Sequence, residues 1–291
     1  MVINKHGSFY LRSGWGTKII RAVDADDMIF TPANELEAVD KIGLGRVMIK
    51  SLRYWADASG LTAEKKIQNG IKEEKTRLFE LIDSNDRYFQ KPGTLLLMHR
   101  NLSRNEENAT AWYWAFNEFN KQNFSKEEFV EGFQYFMAVN GNAVKKAAAD
   151  KEFNCFKNTY LEEKKFDVKT IMDEDTHPLL GPLHLLKINE DKNFEKRSLS
   201  RADIPLLVLI YAIAMDNPSQ SAEGSQIGID KLMEEKKQVG KYFSIKYSNL
   251  IEMLLEAENK ELLVLNNNFG NRHIEFIDIH YEDLLDKYYT E

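Results

Sequence analysis

The chain has 291 residues, 43% hydrophobic and 29% charged, which suits one large domain or two to three small ones and argues against global disorder. Its net charge of -7 argues against a protein that coats nucleic acid through its overall field. Cys155 is the only cysteine, which excludes an internal disulfide and a Cys-based zinc site.

The opening "MVINKHGSFYLRSGW" has no apolar signal-peptide core, so a cytoplasmic location is expected. The first thirty residues read as mixed strand-like and polar pieces, with "DADD" (Asp24 to Asp27) as a helix end or loop. If "SFYLRSGW" is extended, Ser8, Tyr10 and Arg12 share one face and His6 lies on its continuation. Arg12 could then clamp a phosphate while His6 moves a proton, which makes the pair catalytic candidates. The alternative is that both hold the N-terminal segment in place.

Pro32 opens a helix, "PANELEAVDKI", where its missing N–H costs nothing, and the Gly43–Gly45 turn ends it. A second helix runs from Arg46 to about Ser59 and stops at Gly60. Met48, Leu52 and Trp55 make one stripe for burial, while Arg46, Lys50 and Arg53 make another. "LTAEKKIQNGIKEEKTR" follows as a polar hairpin or loop carrying Lys65 and Lys66. Residues 41–77 hold nine Lys/Arg against four acids, a local +5 that leaves -12 for the rest. Two helices, a glycine turn and a hairpin give the order of a winged helix-turn-helix, so Arg46, Lys50, Arg53, Lys65 and Lys66 are DNA-contact candidates. The plainer reading is a solvated basic face.

The middle third is helical: an apolar "GTLLLMHRNLSRN", an aromatic "NATAWYWAFNEF", then a Ser125/Glu128 capping box ahead of "EEFVEGFQYFMAV". "NGN" (Asn140 to Asn142) breaks that helix, and the next exposes Lys145 and Lys146 near its start, a weaker nucleic-acid candidate. From Phe166 to Lys196 the sequence is polar, and Pro178 and Pro182 forbid one continuous helix. Glu174 and Asp175, with Asp173 and His177 close by, form the best acidic cluster for Mg²⁺ or Mn²⁺; a solvated acidic loop is the alternative.

The longest apolar run, Ile204 to Met215, is shorter than a bilayer span and reads as a buried helix, so no membrane partner is expected. "YSNLIEMLLEAENKE" follows with Leu250, Leu254 and Leu255 expected inward, then a hairpin about Asn266 to Asn271. Helix, helix and hairpin again spell a winged helix, with Asn267 and Arg272 at or near its tip. The expected fold is therefore mainly α, with winged helix-turn-helix units at both ends, a helical middle and small β-hairpin wings. The expected domains are 1–90, 91–196 and 197–291. No dinucleotide fingerprint or P-loop is present, nor a recognised nuclease motif.

"HGSFYLRSGW", "IGLGRVMIKSLRYWADASGL", "PGTLLLMHRNL…NATAWYWAFNEF" and "CFKNTYL…EDTHPLLGPLHLL" together resemble a prokaryotic family of domains of unknown function. That family is often encoded beside DNA phosphorothioation and antiphage defence genes, and includes SspB-type components proposed to nick DNA. The resemblance spans nearly the whole chain, in order. It implies a cytoplasmic protein that binds double-stranded DNA and nicks it where sulfur is inserted. Sulfur-transfer and ATPase proteins are the partners it suggests, and a homodimer is the assembly that a regulator reading of the same helices suggests. Arg46 and Val47 stand where the family pattern has Lys-Asn, which keeps the cation and loses a base-reading amide. Lys151 and Glu152 stand where it has Arg-Asp. A non-catalytic transcriptional regulator or a protein-recruiting module would use the same helices.

Overall fold

Trp15, Ile19, Ile20 and Val23 recur at helical spacing, and Ser13–Ala25 folds as a helix, α1, with these residues buried. This corrects the reading of the first thirty residues as mixed strand-like and polar pieces, because the apolar spacing is that of one helix face. The computed structural model describes residues 1–161, 177–220, 224–268, 270–277 and 280–291, without the side chains of residues 267, 268 and 271. Described residues are mainly helical, with small antiparallel sheets. No described helix is long and apolar enough to cross a membrane.

The chain divides into two compact units, one of Met1–Ala115 with Lys121–Lys196, the other of Phe116–Asn120 with Arg197–Glu291. Residues 1–90 share one unit with 91–115 and 121–196, and the aromatic core described below runs through these stretches.

In the first unit, Pro32 starts a short 3-10 turn that leads into α2 (Glu35–Ile42). Gly43 ends α2 at φ 72°, a left-handed conformation that suits glycine. Then follow α3 (Arg46–Ala58) and an antiparallel hairpin of β1 (Thr62–Ile67) and β2 (Gly70–Lys75). Next are α4 (Arg77–Asn85), α5 (Pro92–Arg104) and α6 (Thr110–Asn117). A two-residue strand β3 (Asn123–Phe124) precedes α7 (Lys126–Val139), whose N-terminus carries both halves of the Ser125/Glu128 capping box. α8 (Lys146–Tyr160) packs on α7. Strands β4 (Leu186–Ile188) and β5 (Phe194–Lys196) bring the distant chain back, in the order β3-β5-β4.

The core is aromatic. Trp112 stands edge-on to Trp55 at 5.4 Å and to Phe156 at 6.2 Å, and Phe156 stacks on Phe129 at 5.0 Å. Each such pair adds about 0.5–1.5 kcal/mol beyond the area it buries.

In the second unit, α9 (Leu206–Asp216) is apolar nearly all round and packs against α13 (Tyr281–Thr290). Between them come β6 (Gln226–Gly228), α10 (Ile229–Glu234), α11 (Val239–Tyr242), α12 (Tyr247–Asn259), β7 (Leu263–Asn268) and β8 (Asn271–Phe276). β6 pairs with β8 and β8 with β7, giving the order β6-β8-β7. Along α12, Leu250 and Leu254 are buried as expected, but Leu255 is 44% exposed because the buried stripe continues through Met253 and Ala257.

Candidate nucleic-acid interface

Two glycines position α3: Gly43 turns the chain out of α2, and Gly45 caps the new helix. On the inner side, Ile49, Leu52 and Trp55 are buried, while Met48 is only half-buried. Trp55 Nε1 donates to the Phe9 carbonyl (2.9 Å) and Ser51 Oγ to that of His6 (2.8 Å), so this face clasps the N-terminal segment. The outer side presents Arg46, Val47 and Lys50, all exposed. Lys50 Nζ lies 3.0 Å and Arg46 Nε 4.0 Å from Glu35 carboxylate oxygens. Exposed pairs of this kind are worth about 0–1 kcal/mol and exchange readily for a phosphate.

Arg53, the third cation of that stripe, points elsewhere. Its Nε donates to Glu64 Oε2 (2.8 Å) and lies 4.0 Å from Glu73 Oε1. Glu64 and Glu73 are directly opposite each other across the β1–β2 hairpin, and the guanidinium relieves their repulsion. Burial pushes the Glu73 carboxyl up to about 7, against a hydrogen bond from Thr62 Oγ1 (2.6 Å) that lowers it. Burial likewise raises Asp57 nearby. Further along the hairpin, Lys65 pairs with Glu74 at 2.8 Å, while Lys66 is exposed with no ion-pair partner among the described residues. The Arg53 clamp was missed in the sequence, although it left a signal: a hairpin closed at Ile67 and Gly70 sets Glu64 opposite Glu73, and two facing carboxylates call for a cation.

The other candidate cations are spread out. Lys145 caps α8 and Lys146 starts it; both are exposed, with no ion-pair partner among the described residues. In the second unit Arg272 donates to the Tyr247 hydroxyl (2.9 Å), with its guanidinium 5.6 Å from that ring's centre. Asn267 faces Arg272 across the β7–β8 ladder, and its side chain lies outside what is described. Glu174 and Asp175 lie outside the described residues. Among the described residues no three His, Cys, Asp or Glu side chains converge to hold a metal ion.

His6 and Arg12 do not share an extended face, because residues 4–8 form tight turns with positive φ at Asn4, Gly7 and Ser8. The His6 ring is 1% exposed and sits among Tyr54, Trp55 and Trp112. Its Nδ1 accepts the Ser8 N–H (3.0 Å), which leaves the ring proton on Nε2. Nε2 lies 3.3 Å from the buried Glu152 Oε1, outside hydrogen-bond geometry, and the same oxygen accepts the Asn4 N–H. Arg12 is half-buried, its guanidinium 5.6–5.7 Å from the ring centres of Phe9, Tyr10 and Trp15, and its backbone bridges to Pro178. Sequence reasoning singled out His6 but missed that Glu152, 146 positions away, stands beside it.

No curated protein matches the chain. Two solved structures do: "Magnesium ion-bound SspB crystal structure" with a TM-score of 0.85, and "SspB crystal structure" with 0.84. In both cases the identity is 22%, with 99% of this chain and 88% of that chain covered, a likeness of fold. A family model described as "Protein of unknown function (DUF4007)" matches residues 3–289, and the chain belongs to that family.

Proposed function

We propose that this protein binds double-stranded DNA as a component of a phosphorothioation-linked defence system. The observation that carries the reading is the exposed N-terminal face of α3, with Arg46, Val47 and Lys50, standing directly ahead of the lysine-bearing β1–β2 hairpin. A helix entering the major groove by its N-terminal residues, with a hairpin on the backbone, is how a winged helix docks. The second unit supports the same reading. Its order of helix, strand, two short helices, long helix and hairpin, with the first strand paired to the last, is a winged-helix order. The fold likeness to SspB supports the phosphorothioation link.

Nicking at sites of sulfur insertion is the enzymatic form of the proposal, with Glu174 and Asp175 as metal candidates. The magnesium in one SspB structure's title makes Mg²⁺ the first ion to supply, and Mn²⁺ the second. A non-catalytic regulator or recruiting module is the second reading, favoured by the enclosure of His6, which gives its ring no route to a phosphodiester. Supercoiled plasmid with Mg²⁺ or Mn²⁺ separates the two. Open circles made by the wild type and not by Glu174→Gln/Asp175→Asn support the nickase. Duplex binding without open circles supports the regulator, and no duplex binding at all rejects the nickase and the regulator and leaves the recruiting module.

A further inference from the structure

We propose that the cleft between α1 and α2 is a binding site for a small aromatic anion. The site lies within the first unit and does not depend on the DNA reading. A cavity of about 390 Å³ opens there, within the range of small-molecule pockets. Its apolar lining is Ala22, Ala25, Ile29 and Ile42, and its charged lining is Lys18, Arg21 and Lys41 against one acid, Asp26.

The charged groups differ in how they are engaged. Lys18 Nζ donates to the Ile42 carbonyl (2.8 Å), which fixes the ammonium at the C-terminal end of α2, in the wall of the cleft. Lys41 pairs with Glu37 at 2.6 Å, an exposed i,i+4 contact that costs little to exchange. Arg21 is exposed and has no ion-pair partner among the described residues. Asp26, the one acid in the wall, turns one carboxylate oxygen to the Met28 N–H (2.9 Å), and its charge also acts on Lys41. Three cations around an apolar floor favour a ligand with a ring system at one end and a carboxylate, sulfonate or phosphate at the other. An apolar cation or a neutral sugar would find no complement here. A smaller cavity of about 250 Å³, lined by Glu35, Lys50 and Arg53 among others, belongs to the α3 surface already described.

The probe is anilinonaphthalene sulfonate, with neutral phenylnaphthylamine, the same rings without the sulfonate, as comparator. Wild-type protein should bind the sulfonate saturably at one site, and the neutral amine about tenfold or more weakly. Arg21→Glu, a change at an exposed position, should weaken sulfonate binding at least about tenfold at an unchanged melting temperature. Ala22→Trp, which fills the cleft, should abolish it. Equal binding of the two dyes, or full sulfonate affinity in Arg21→Glu, overturns the proposal. If Ala22→Trp fails to fold, the Arg21→Glu result decides alone.

Discussion

Arg53 Nε stands 4.0 Å from Glu73 Oε1, and Glu73 is fully buried. The carboxyl is pushed up to about 7 by burial, opposed by the Thr62 hydrogen bond, raised by Glu64 and lowered by Arg53. Unfolded, it would titrate near its ordinary value of 4.5. Between those values the folded state binds more protons than the unfolded one, so stability falls as pH rises from 4.5 to about 7 and levels off above. The gap corresponds to about 3 kcal/mol. Glu73→Gln keeps an acceptor for Thr62 and removes the titration, so it should stabilise the protein at pH 8 by roughly 1–3 kcal/mol and change little at pH 4. Urea unfolding at the two pH values checks this, and an unaltered pH dependence in the variant would assign the titration to another group.

Arg46 and Lys50 should behave differently from Arg53 although all three share one helix stripe. Arg46→Ala/Lys50→Ala should lower the slope of log K against log[salt] for duplex binding by about two, at roughly 0.9 per phosphate contact, with the melting temperature unchanged. Arg53→Ala should instead lower the melting temperature, because it leaves Glu64 and Glu73 facing each other unrelieved, and should hardly move the slope. If the double variant keeps the wild-type slope, α3 is not the contact.

His6→Ala should cost about 2–3 kcal/mol, since it opens a void among three aromatic rings and strips Glu152 of its imidazole neighbour. Adding Glu152→Gln should recover part of that loss. A double-mutant cycle measured by chemical unfolding is expected to give a coupling of about 1–3 kcal/mol. Strict additivity would mean that the imidazole and the carboxylate do not sense each other.

Gly240→Ala and Gly14→Ala should have opposite signs. A Cβ on Gly240 would lie 2.5 Å from the Met233 backbone, which cannot move aside cheaply, whereas one on Gly14 meets nothing within 4 Å. The first should cost more than about 2 kcal/mol. The second removes a flexible residue from α1 and should gain up to about 1 kcal/mol. Thermal unfolding of the two variants reads both.

The sequence carried the local signals well. Gly43 punctuates the α2–α3 turn as expected, and Ser125 and Glu128 meet in the capping box that their spacing implied. Contacts between distant residues were not legible. β6 is three residues long, and only pairing with β8 identifies it as a strand. Phe124 and Phe194 meet on β3 and β5 although they are seventy positions apart in the chain. At the candidate interface, composition showed that Arg46, Lys50 and Arg53 are cations on one stripe. It could not show that Arg53 is drawn sideways onto the hairpin, because that depends on the tilt of β1 against α3. The same limit applies to His6, whose alternation with Ser8, Tyr10 and Arg12 suggested a strand until three positive-φ residues turned it inward.

Trp55 has consequences for how the chain matures on the ribosome. Its indole leans on Trp112, and Trp112 leans on Phe156, so the inner wall of α3 is completed only by segments made much later. Until α6 and α8 have emerged, the nascent N-terminal region presents the Trp112-facing side of Trp55 to water or to a chaperone. A fragment ending at residue 90 would keep that exposed surface permanently. The helix and hairpin that look most like a portable module are therefore not portable, and a truncated gene should yield an aggregating product rather than a small DNA-binding domain.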